Sequence, residues 1–172
     1  MRNFREIIQL LNLLPHPEGG YYRRNWQSDM LAAVADDTSG KIHSLRSIGS
    51  SIIYLLPSEE VSTWHRISCD EMWHYYGGSP LKLYILDKDE GLICRILGID
   101  LEQGQMPQFI IPRNTWFCAE VFEDESHTLC GCTLWPSFSY ADFDLADPQT
   151  LKREFPLHVE LIDHIFAKTN KI

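Results

Sequence analysis

The chain has 172 residues, 44% of them hydrophobic and 23% charged, an ordinary globular composition that excludes wholesale disorder and suits one domain. A net charge of −9 leaves no room for the clustered lysines and arginines that nucleic acid requires, so no nucleic-acid partner is expected. No apolar run reaches the length of a membrane span, so no membrane partner is expected either.

Five cysteines, odd in number and without a CxxC pair, read as reduced thiols packed in a cytoplasmic protein. At the N-terminus Phe4, Ile7, Ile8, Leu11 and Leu14 recur at helical spacing, which predicts a helix over 1–14 ended by Pro15. The following Pro15-His16-Pro17-Glu18-Gly19-Gly20 is a stiff turn, restricted by two prolines and allowed to reverse by two glycines. Its plain role is to connect helix to strand, with His16 and Glu18 able to reach a ligand or a partner subunit.

From Tyr21 to Leu134 the signals are of strand type: YYRRNW, IHSLRS, SIIYLL, STWHRI, EMWHYYG, LKLYIL, LICRILGI, QFIIP, TWFCAEVF and HTLCGCTLW. They are short, rich in β-branched and aromatic residues, and broken by Pro, Gly, Ser or Asp. Strands without long helices between them predict an all-β antiparallel sandwich or barrel over 20–140. In the tail, Asp147-Pro148 forms a helix N-cap with proline at the first helical position. Two short helices are expected over 147–168, with Leu157, Leu161 and Ile165 on one face, in a chain that forms a single domain over 1–172.

Strand alternation puts His65 with Ile67, and Glu71 with Trp73 and Tyr75, on common faces. Ser68-Cys69-Asp70 between them reads as a hairpin loop, with Asp70 capping it. This stretch resembles the first cupin motif, an HxH followed by a glutamate and a glycine, with His65, Glu71 and Gly78 in place and Ile67 where the second histidine would stand. The second cupin motif, Pro-x-Gly-x-x-His, is matched by Pro112 alone; Asn114 replaces the glycine, where it can still adopt a left-handed turn, and Phe117 replaces the histidine. Across nearly the whole chain, LLPHPEGGYYRRNW, SIIYLLPS, WHRISCDEMWHYYGGSPLKLYIL, IIPRNTWFCAE and GCTLWPSFSYADFDLAD are similar to the successive signatures of an uncharacterised cupin family, domains of unknown function. The resemblance implies a cupin double-stranded β-helix, or jelly roll, usually a homodimer, with structural similarity to nucleotide-sugar epimerases.

His65 has an unperturbed pKa suited to proton transfer near neutrality, and Glu71 can orient it and stabilise its charged form. These two are the candidate catalytic residues. Trp73, Tyr75 and Phe117 share the parity of the expected cavity and are candidate ligand-binding walls, while Arg23 and Arg46 are candidates for holding an anionic group. His74, of opposite parity, is expected to pack against a covering strand or a partner subunit. With two ligand positions given to Ile67 and Phe117, no cofactor is expected, weak metal binding through His65 and Glu71 being the open alternative. The expected partner is a small organic molecule, a sugar or nucleotide derivative, handled by an isomerase- or epimerase-like enzyme or by a non-catalytic binding protein.

Overall fold

The computed structural model describes residues 3–35 and 42–169. The first two residues of the expected helix, residues 36–41 of the expected barrel and the last three of the chain lie outside the described residues. In chain order the elements are α1 (Phe4–Leu11), β1 (Leu14–Pro15), β2 (Tyr21–Gln27), β3 (Leu31–Ala35), β4 (Ile42–Ser47), β5 (Ser50–Pro57), β6 (Val61–Ile67), β7 (Asp70–Gly78), β8 (Leu81–Asp87), β9 (Gly91–Leu97), β10 (Gln108–Ile111), β11 (Trp116–Val121), β12 (His127–Trp135), β13 (Phe143–Leu145), α2 (Pro148–Glu154) and α3 (Val159–Thr169).

One sheet runs β1-β2-β5-β12-β7-β10 and the other β13-β6-β11-β8-β9, while β3 and β4 pair with each other. The ladders are antiparallel, and the two sheets close on a shared interior as a jelly roll. Alternation sorts the side chains. Tyr54, Leu56, Trp73, Leu83, Phe117 and Cys132 point inward and form the interior core. Their neighbours Trp64, Leu86 and Cys118 point outward from the second sheet and are covered by Leu151, Ile162 and Ile165 of the C-terminal helices. A fully buried tryptophan removes roughly 200 Å² from water, worth about 5 kcal/mol before entropy is counted.

The N-terminal helix is shorter than its apolar pattern. Asn3 caps its start by accepting the Arg5 N–H at 3.0 Å, and Asn12, at φ 51°, ends it in the left-handed conformation. Leu14 and Pro15 therefore leave the helix and pair with Tyr22 and Tyr21. At the other end Asp147 caps α2, accepting the Thr150 N–H at 2.8 Å, with Pro148 in its first turn. Leu157 is a correction. It sits in the short 3-10 turn started by Pro156 and is 90% exposed, because that turn breaks the phase with Leu161 and Ile165.

The Ser68–Cys69 connection is a second correction. It is not a hairpin: β6 and β7 lie in different sheets, β6 between β11 and β13, and β7 between β12 and β10. The chain arches from one wall of the barrel to the other, so His65 and Glu71 descend from opposite walls. No helix among the described residues is long and apolar enough to cross a membrane.

Glu120 fastens α3 to the barrel. It points outward from β11 and accepts from Lys168 Nζ at 3.0 Å, His164 Nε2 at 3.1 Å and Tyr84 Oη at 3.0 Å, with Lys82 Nζ at 3.5 Å. Burial alone would raise its pKa, but the bonds from Lys168, His164 and Tyr84 and the Lys168 charge outweigh it and hold the carboxyl at about 2, against 4.5 unperturbed. A carboxyl depressed by folding contributes stability above its unfolded pKa and loses it as pH falls through the folded one. Glu120→Gln is therefore expected to cost about 2 kcal/mol at neutral pH, the gap to the parent closing as acid titrates Glu120, as read by urea denaturation at several pH values.

Candidate functional site

The turn after β1 carries the acid that organises the site. His16 N donates to Gly20 O at 2.9 Å and Gly19 N to His16 O at 3.0 Å, closing a tight loop. Gly19 and Gly20 take φ of 110° and 69°, values that L side chains resist. Thr63 N then donates to Glu18 O at 2.8 Å, Tyr54 Oη to Gly19 O at 2.7 Å, and Gly20 N to Glu60 Oε2 at 2.8 Å. These bonds press the turn into the mouth of the barrel and bury Glu18.

Glu18 meets His65 there. Oε2 lies 3.1 Å from His65 Nε2 and 3.5 Å from His16 Nδ1, and Oε1 accepts from Ser62 Oγ at 2.9 Å. The other His65 nitrogen, Nδ1, is 2.7 Å from Thr63 O. Phe117 and Phe143 flank the imidazole, with ring centroids at 4.1 and 5.5 Å. Burial in this apolar setting pulls the His65 pKa down to about 4, against which the Thr63 bond works only in part. Burial also lowers His16 and raises Glu18 itself.

Glu71 reaches the same interior from β7, as the strand parity predicts. Burial, the largest cause, pushes its carboxyl up to about 8. The Trp73 indole and the Cys132 thiol lie near enough to favour the ionised form, yet Glu71 Oε2 has no hydrogen bond of proper geometry among the described residues. A buried carboxyl with an unpartnered oxygen is costly to ionise, which favours the neutral acid at pH 7.

His16, Glu18 and Glu71 border a pocket of about 70 Å³ whose walls include Tyr22, Phe138 and Phe143. Several waters, or the inner end of a small molecule, fill such a volume. Arg24 and Tyr140, both exposed, mark its mouth. Arg24 Nη1 donates to Gln27 Oε1 at 2.8 Å, and no carboxylate is paired with it among the described residues, which leaves one positive charge at the entrance of an otherwise acidic-lined pocket.

The residues singled out in the sequence are distributed differently from the expectation. His65 is inward and buried, but its carboxylate partner is Glu18 and not Glu71, because the Pro-Glu-Gly-Gly turn fills the space between the two walls. It stands behind Glu18, outside the pocket lining. Trp73 and Phe117 are inward core residues, 6.1 Å apart, outside the pocket lining. Tyr75 has the same parity, but its hydroxyl is bonded to Gly78 O at 2.5 Å, away from the pocket. Arg23 alternates with the pocket-lining Tyr22 and Arg24 and so faces the other side of the sheet. Arg46 is occupied by Asp142 and by the Ser137 carbonyl, bracing the segment that carries Phe138, Tyr140 and Phe143. His74 faces outward, with Nε2 3.0 Å from Thr133 Oγ1 and Nδ1 3.2 Å from the Gln108 amide of neighbouring β10. Asp70 caps a different turn, accepting the Arg113 N–H at 2.9 Å. Arg24, which the sequence does not single out, differs from Arg23 by one step of strand parity, and Glu18, whose turn reads first as a plain connection able to reach a ligand, is brought in by one inward fold of that turn.

Cupin folds commonly hold a metal, and the donor set around His65 does not fit one. Its two nitrogens are taken by Thr63 O and Glu18, and Ile67 and Phe117 present hydrocarbon at the other ligand positions of the motif. Among the described residues no three His, Cys, Asp or Glu side chains are grouped to hold a metal ion.

Comparison with known proteins agrees with this architecture. The sequence profile described as Cupin superfamily (DUF985) matches residues 5–146. The crystal structure of protein SO0799 from Shewanella oneidensis is 34% identical, with a TM-score of 0.83 over 96% of this chain and 98% of that one. A hypothetical protein from Leishmania major is 28% identical, with a TM-score of 0.85 over 95% of this chain and 98% of its own. Oxalate decarboxylase from Bacillus subtilis shares the fold alone, at 14% identity and a TM-score of 0.52, with this chain spanning 36% of its length. No curated protein matches.

Proposed function

We propose, for a chain that belongs to the DUF985 family of the cupin superfamily, that the pocket binds a small organic molecule and moves a proton on it, in the manner of an isomerase or epimerase. The observation that carries this reading is the pair of buried carboxyls, Glu18 and Glu71, facing one cavity with different partners: Glu18 bonded to His65, Glu71 unpartnered at Oε2 among the described residues. Two carboxyls set apart by environment are what acid and base roles require. Glu71, neutral at pH 7, donates a proton to a carbonyl oxygen, and the Glu18–His65 pair accepts one from the adjacent carbon.

The pocket's size and charge narrow the ligand. About 70 Å³ is well below the several hundred Å³ of a drug-sized site, so only the compact inner end of the ligand is enclosed. That end carries an oxygen acceptor for Glu71. Arg24 at the mouth suits an anionic group left outside, as in a sugar phosphate or nucleotide sugar. Tyr22 and Phe138 supply apolar faces for a ring.

The test is solvent exchange. Incubation with a panel of sugar phosphates and nucleotide sugars in deuterated water is expected to place deuterium on a carbon beside a carbonyl, followed by NMR. Glu71→Gln is expected to slow that exchange by about 100-fold or more. Binding without exchange would replace the enzyme by a non-catalytic binding protein, and an equal exchange rate in Glu71→Gln would remove Glu71 from the chemistry.

A further inference from the structure

We infer that Glu18 is a neutral carboxylic acid that donates its proton to Nε2 of His65, and that His65 is a positioning residue standing behind it, to which Glu18 passes that proton when it takes one from the pocket. This rests on the reading of the pocket given above and assigns its proton path.

Thr63 O can only accept, so His65 Nδ1, 2.7 Å away, carries a hydrogen. In a neutral imidazole the other nitrogen is then a bare acceptor. Glu18 Oε2 faces that nitrogen at 3.1 Å. Two acceptors do not approach so closely without a proton between them. Either Glu18 holds it, giving a neutral pair, or His65 holds it, giving an imidazolium beside a carboxylate. Ser62 does not decide between them, since its hydroxyl donates to Oε1 in either case.

The surroundings decide. Facing Glu18 are His16 from its own turn, Ser62 and His65 from β6, Tyr54 from β5, Glu71 from β7, and the Cys130 and Cys132 thiols from β12. None of these is a lysine or arginine, and among the described residues no such cation is paired with Glu18. Phe117 and Phe143 seal His65 from water. Separating charge there sets desolvation of two ions against one contact, so the neutral form is preferred. The burial-driven shifts, upward for Glu18 and downward for His65, point the same way.

The arrangement gives a balanced proton path. When Glu18 takes a proton from the ligand carbon, its own proton passes to His65 Nε2, and Glu71 gives its proton to the ligand oxygen. His65 ends as imidazolium, Glu71 as carboxylate and Glu18 again as neutral acid; the ligand becomes an enol, with no net change of charge. Return of the proton after the enol has turned its other face to Glu18 inverts the carbon.

Side-chain NMR of labelled, ligand-free protein tests this without any substrate. At pH 7 the expected ¹⁵N spectrum shows His65 with one protonated nitrogen, Nδ1, and one bare nitrogen, while the Glu18 carboxyl carbon sits at its protonated position. Glu18→Gln is expected to leave His65 in the same tautomer, because the amide N–H replaces the acid O–H as donor to Nε2. Two protonated nitrogens on His65, or an ionised carboxyl signal for Glu18, would overturn the inference. Should the Gln variant fail to fold, the parent's two signals decide alone. A contrary result leaves the exchange assay standing, and a failed exchange assay leaves the protonation state standing, so the two readings fail separately.

Discussion

Replacing Glu71 by Gln is expected to make the protein more stable than its parent in mildly alkaline solution, by a margin that widens as pH rises. In the fold this carboxyl is pushed up to about 8, chiefly by burial, whereas its unperturbed value is 4.5. Between those values the folded chain holds a proton that the unfolded chain has released. The contribution is therefore complete below the unfolded pKa and is lost as pH rises through the folded one, by about 1.4 kcal/mol per pH unit. His65 works in the opposite sense. Its folded pKa of about 4 lies below 6.5, so acid favours the unfolded chain between those values. The two slopes offset each other below pH 6.5, and that of Glu71 stands unopposed by His65 from there to 8. Glu71→Gln keeps the His65 slope and loses the other, so the variant gains roughly 2 kcal/mol on the parent across that window. Urea denaturation at three pH values within it measures the gain directly. Parallel stability curves for the two proteins would show Glu71 titrating as an ordinary carboxyl, and the pocket's proton donor would go with it.

The barrel was legible in the sequence because alternation is a local property. Glu71, Trp73 and Phe117 are inward for the same reason that Trp64 and Cys118 are outward, and a period of two residues reveals both. Asn114 likewise takes the left-handed conformation expected of it, at φ 60°. What the site adds is non-local. The partner of His65 arrives on a turn whose prolines and glycines announce a reversal without saying which way it folds, and only the bonds from Thr63 N and Tyr54 Oη bring it inside. Arg24 was missed for Arg23 through a single step of parity, which is set by the register of Tyr22 against Tyr54 on the next strand. The Ser68–Cys69 connection fits a hairpin by length alone. Competition for partners makes it an arch, since β7 is already flanked by β12 and β10. An arch places consecutive strands on opposite walls, and this is how one short stretch of sequence sends a histidine and a glutamate into the barrel from two sides.

If the turn rather than the strands positions the acid, a methyl group in the right place should damage the site more than its size suggests. Gly19→Ala is the sharpest case. A Cβ there would lie 2.0 Å from Val61 O, a backbone atom that cannot swing away, at a φ of 110°. The conformation alone costs an alanine about 1–3 kcal/mol, and relief of the overlap requires the turn to lift off β6. Lifting it breaks the Thr63 N to Glu18 O bond and withdraws Glu18 from His65, leaving a buried imidazole with an unpaired acceptor. The expected loss is about 3 kcal/mol or more, a large share of a typical domain's stability. Gly104→Ala is the control, because Gly104 also has a positive φ, of 73°, but no heavy atom lies within 4 Å of its added Cβ. It should lose only the conformational part, about 1 kcal/mol. Denaturation midpoints of the two variants, with the His65 nitrogen signals recorded on each, separate strain from displacement. Gly19→Ala should move the His65 signals and Gly104→Ala should not. Equal losses, with His65 unmoved in both, would mean that Glu18 is held in the barrel by something other than the turn that carries it.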